Sequence, residues 1–89
     1  MISHTTAKFR AAFQKLPPEV QQRARKVYAL WSQNPAHASL QFKQVHARRP
    51  IFSVRIGLGW RALAVREGEH VIWFWIGSHA DYDKLLAQL

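Results

Sequence analysis

Between Ser78 and Asp83 the chain sets out a hydroxyl, an imidazole, two carboxylates and a phenol in the run SHADYD. Of these, the imidazole of His79 is the group suited to taking or giving a proton near neutral pH. The others have plainer readings. Ser78-His79-Ala80-Asp81 fits the capping box that opens a helix, so Asp81 reads first as a cap. Tyr82 then begins an apolar stripe with Leu85, Leu86 and Leu89, and it is equally placed to act beside His79. Asp83 and Lys84 read as a solvated face. There is no cysteine, which excludes thiolate metal sites, disulfides and a cysteine nucleophile. His4, His37, His46 and His70 lack zinc-site spacing, so no metal and no other cofactor is expected.

The segment just before this cluster is HVIWFWI, apolar at almost every position. It reads as a strand that is central or covered on both faces. IFSVRI and WRALAVR precede it with a period of two, giving an antiparallel meander over residues 51–56, 60–66 and 70–76. With Gly57-Leu58-Gly59 as a three-residue loop, Ile56 faces Trp60 and Arg55 faces Arg61 on one side of the sheet. Phe52, Val54, Ile56, Trp60, Ala62 and Ala64 fall on the other side. A two-residue turn at Glu67-Gly68 would bring Val71, Trp73 and Trp75 to that second side as well.

Upstream, Thr5 or Thr6 caps a helix that carries Phe9, Phe13 and Leu16 on one stripe. On this reading MISHTTAKFR leads straight into that helix. Pro17-Pro18 ends it and opens a second helix with Val20, Ala24, Val27 and Trp31 facing one way, closed by Asn34-Pro35. The expected class is α+β: an N-terminal helical hairpin packed on the meander, with a short C-terminal helix. LQFKQV offers one more short strand. Residues 1–89 are expected to form a single domain.

Net charge is +8, and twelve of the thirteen Lys and Arg lie between Lys8 and Arg66, where Glu19 is the one acid. Such a field favours polyanions, by counterion release from phosphates, or an acidic protein partner. Lys43, His46, Arg48 and Arg49, before the meander, are candidate contacts to RNA, although a solvated basic loop is the simpler reading. The longest apolar run is too short to cross a membrane, so a cytoplasmic location is expected.

The order helical hairpin, FSVRIG, GWRALAV, final apolar strand and WIGSHADYDKLL resembles the RelE/ParE family of bacterial toxins from type II toxin–antitoxin systems. The resemblance runs from about Phe9 to Leu86 and rests on order, size and charge rather than on one motif. It implies a toxin that cleaves messenger RNA in the ribosomal decoding site and so inhibits translation, with a cognate antitoxin as partner. By the same resemblance Arg61 and Arg55 would hold the scissile phosphate, His79 would transfer the proton, and Tyr82 would stack on a base or orient the nucleotide. ParE-like members of the family imply the alternative: a DNA gyrase poison that needs no catalytic base.

Overall fold

The computed structural model describes residues Met1–Leu89. In chain order the elements are β1 (Ile2–Thr5), α1 (Ala7–Gln14), α2 (Pro18–Gln33), a 3-10 turn (Ala38–Leu40), β2 (Lys43–Gln44), β3 (Ile51–Ile56), β4 (Trp60–Glu67), β5 (His70–Ser78) and α3 (His79–Gln88). One five-stranded sheet runs β1-β5-β4-β3-β2. The helical hairpin covers one face of it and α3 covers part of the other.

Local chemistry sets the helix ends. The Thr6 hydroxyl accepts from the Phe9 N–H at 3.1 Å and starts α1. Pro18 occupies the first turn of α2, where its missing N–H costs nothing. The Gln21 side-chain amide reaches back to the carbonyls of Phe13, Gln14 and Leu16 around the end of α1 and so ties the two helices together. Ala24 and Trp31 of α2 then pack on Val54, Ile56, Ala62, Ala64, Val71, Trp73 and Ile76, with Phe9 and Phe13 of α1 at the margin. Trp31 is 2% exposed and meets Trp73 edge-on. The expected hairpin-on-meander arrangement is therefore present.

The expected register of the first turn also holds: Ile56 pairs with Trp60 and Arg55 with Arg61. Three expectations are corrected. MISHTTAKFR does not lead straight into a helix, because Ile2–Thr5 form β1, parallel to β5. Short and mostly exposed, β1 carries no apolar period to announce it. Its pairing is demanded by β5, a strand too apolar to leave its edge N–H and C=O groups open. Trp73 adds a side-chain tie, its indole N–H donating to Ser3 Oγ at 3.1 Å.

The second correction is the β4–β5 turn, which sits at Gly68-Glu69, since Glu67 pairs with His70. Gly68 has φ +59, so the left-handed position falls on the residue that adopts it without strain. The third concerns Trp75. Between Leu63 and Ala64 the register shifts, with Leu63 paired to Trp75 and Ala64 to Trp73. This bulge takes up Phe74 as the extra residue and sends Trp73 and Trp75 to opposite faces. Trp73 stays with the hairpin, whereas Trp75 joins Ile51, Leu63, Tyr82, Leu85 and Leu86 under α3.

Candidate active site beside the start of α3

The site is assembled where β5 turns into α3. Ser78 is the cap: its Oγ accepts from the Asp81 N–H at 3.2 Å. The His79 N–H donates to the Gly59 carbonyl at 2.8 Å, which ties the first residue of α3 to the β3–β4 turn. These two bonds fix where the His79 side chain emerges. The ring is 43% exposed, and its Nδ1 lies 3.2 Å from Asp83 Oδ2. An Nδ1–H held by Asp83 leaves Nε2 without a protein partner and open to solvent. Asp83, which read as a solvated residue, is therefore also the partner of the His79 ring.

Tyr82 is the centre of the cluster. The His79 ring meets it edge-on at 5.7 Å between centroids, and the Arg61 guanidinium carbon lies 5.8 Å from its ring centroid. Trp75 lies against it at 6.5 Å. The phenol points inward, its oxygen 3.5 Å from Ser53 Oγ. At 8% exposure, the ring cannot stack on an RNA base without displacing these neighbours. Its geometry is that of a platform that holds an imidazole and a guanidinium near one another.

Gly77 is a part of the site that sequence patterning did not single out. It pairs with Arg61 across the β4–β5 ladder, so no side chain stands beside Arg61 on β5. A Cβ at position 77 would come within 2.7 Å of the Trp75 ring. The available signal was a glycine inside an apolar strand, which marks a close approach. Trp75 could not be found that way, because only the bulge turns it to this face.

Arg55 starts opposite Arg61 but does not join the cluster around Tyr82. Its Nε–H donates to the Gly57 carbonyl at 3.2 Å, on the other side of the β3–β4 turn from His79. The basic loop residues are further away. His46 uses Nδ1 to accept from the Arg48 and Arg49 N–H groups, and its Nε2 lies 2.9 Å from the Leu89 carbonyl oxygen. Arg48 and Arg49 thus sit by the C-terminal end of α3, a helix length of about 15 Å from His79. Both are exposed, as is Lys43 on the outermost strand. His46 itself is engaged in holding the loop.

Family comparison is decisive here: the family model for the ParE-like toxin domain matches residues 18–84. The chain belongs to the ParE-like toxin family. Solved structures show the same fold. A chain of the RelB–RelE antitoxin–toxin complex from Methanococcus jannaschii superposes with a TM-score of 0.73 at 12% identity, over 92% of this chain and 96% of that one. The toxin–antitoxin complex RelBE2 from Mycobacterium tuberculosis gives 0.70 at 20% identity, over 88% and 96%. A YoeB/ParE toxin from Agrobacterium tumefaciens gives 0.67 at 12% identity, over 89% and 99%. No curated protein sequence matches. In this ParE-like toxin, no helix is long and apolar enough to cross a membrane.

Proposed function

We propose that the protein is the toxin of a type II toxin–antitoxin pair and acts as a metal-independent endoribonuclease on messenger RNA held by the ribosome. The observation that carries this reading is the His79–Tyr82–Arg61 cluster, with a half-exposed imidazole anchored on one nitrogen and open on the other. A gyrase poison would need no catalytic base.

The geometry suits a transphosphorylation. Nε2 of neutral His79 takes the proton of a ribose 2′-hydroxyl as that oxygen attacks the adjacent phosphorus. The phosphorane's negative charge falls to Arg61, whose planar fork matches phosphate oxygens. The bond from phosphorus to the 5′-oxygen breaks, and the imidazolium returns its proton to that oxygen. The products are a 2′,3′-cyclic phosphate and a free 5′-hydroxyl. Asp83 keeps the ring oriented through both transfers.

The expected partners follow from the same charges. The one carboxylate that lies within 4 Å of a basic side chain is Asp83, beside His79, so none of the thirteen Lys and Arg is matched to a carboxylate. An acidic segment of the cognate antitoxin would neutralise this surface and silence the toxin, and ribosomal RNA would meet the exposed Lys43, Arg48 and Arg49. Cleavage of ribosome-bound message by the wild-type protein and by His79→Ala is the test. Cutting that depends on His79 supports the nuclease. A wild type that cuts nothing and traps gyrase on DNA overturns it.

A further inference from the structure

On the far side of the β3–β4 turn from His79 lies an open hollow of about 420 Å³, lined in part by Arg23, Lys26, Ser39, Arg55 and Gly57. Three cations line it and no acid does. Bringing like charges together is unfavourable unless an anion sits among them.

The hollow is also shaped in advance. Arg55 is held by its bond to the Gly57 carbonyl. Gly57 has φ +67, and a Cβ there would lie 2.6 Å from Arg23 Nη1 and 2.8 Å from Arg23 Cδ. Glycine thus serves twice: it adopts the left-handed turn and lets Arg23 close over the backbone. Arg55, held by that bond, and Arg23, packed over the Gly57 backbone, can present their forks to one phosphate.

The turn links the hollow to the candidate active site. Gly57 accepts from Arg55 and Gly59 accepts from the His79 N–H, so one short turn borders both sites. Two residues of chain span at most about 7 Å. A strand with one phosphate beside Arg61 and His79 that crosses this turn would bring another phosphate to the hollow.

We infer that the Arg23–Lys26–Arg55 hollow is a second phosphate site, which holds a backbone phosphate of the same RNA strand that is cut beside His79. This rests on the reading of the protein as an RNA-cutting toxin. It makes Arg55 a binding residue for a neighbouring phosphate rather than for the scissile one.

The test is fluorescence anisotropy with a labelled single-stranded RNA made uncleavable by 2′-O-methylation. The Arg23→Ala, Lys26→Ala double variant is compared with Lys8→Ala, Lys15→Ala, which removes the same charge from the α1 region. The hollow variant should bind about tenfold more weakly at low salt, and its salt dependence should be shallower by about 0.7 in log–log slope for each phosphate it no longer neutralises. On the ribosome it should need more message for half-saturation and cut at the wild-type rate once saturated. Equal affinity and slope in the two double variants would overturn the site. So would a loss of affinity confined to poly-glutamate, which would assign the hollow to an acidic protein partner. If the double variant does not fold, Arg23→Gln is read in the same way. A wild type that binds RNA through the hollow yet cuts no message leaves the site standing and removes the nuclease. Cutting by a wild type whose RNA binding ignores Arg23 and Lys26 does the reverse.

Discussion

His79 Nδ1 lies 3.2 Å from Asp83 Oδ2, one helical turn further along α3. Both groups are substantially exposed, so this pair adds little to stability. Its consequence is directional: one nitrogen is occupied and the other is free for substrate. His79→Ala should therefore lower the cleavage rate by about 10²–10⁴-fold, with the melting temperature nearly unchanged. The helix keeps its Ser78 cap, and alanine suits its first turn. Single-turnover cleavage of ribosome-bound message together with a thermal melt checks both halves.

Asp83→Asn should cost less than His79→Ala, and should lower kcat while leaving half-saturation alone, because the amide no longer holds the ring as a carboxylate does. A drop in rate equal to that of His79→Ala would give Asp83 a direct part in the chemistry.

Tyr82 separates a platform from a base-stacking residue. Removing the phenol oxygen in Tyr82→Phe breaks only a long contact to Ser53, so stability should fall by no more than about 1 kcal/mol. Tyr82→Ala empties the space between Arg61, His79 and Trp75 and should cost about 3–5 kcal/mol. Urea unfolding reads both. A Tyr82→Ala protein of wild-type stability that fails only in cutting would make the ring a substrate contact.

Gly77→Ala drives a Cβ into the Trp75 ring. The expected cost is about 1–3 kcal/mol, with a shift in tryptophan emission as the indole is displaced. Since Gly77 pairs with Arg61, phosphate binding should weaken as well. Unchanged emission and stability would mean that the ring moves aside freely.

His46→Ala removes the acceptor for the Arg48 and Arg49 N–H groups and the tie to Leu89. Hydrogen exchange should rise at residues 48 and 49 and at the end of α3, with cutting of bound message little affected. Protection that survives the change would show that the backbone alone holds this loop.

Much of the architecture was legible because local periodicity and punctuation carry it. Stripes at Phe9, Phe13 and Val20, Ala24, Trp31 marked the hairpin, and Pro17-Pro18 placed its bend. A three-residue turn at Gly57–Gly59 set Arg55 opposite Arg61, since ladder pairing follows loop length. Ser78 as cap of α3 was equally plain from the spacing to Asp81. What the tertiary structure decided lies in non-local demands. β1 exists because the apolar edge of β5 needs a partner, and nothing in Ile2–Thr5 states that need. The face of Trp75 turns on a bulge that three consecutive aromatics, Trp73, Phe74 and Trp75, cannot signal, because none of them prefers water. Arg55 and Arg61 share a rung yet serve different places, since a long side chain goes where its hydrogen bonds and ring contacts are: Gly57 for one, the face of Tyr82 for the other.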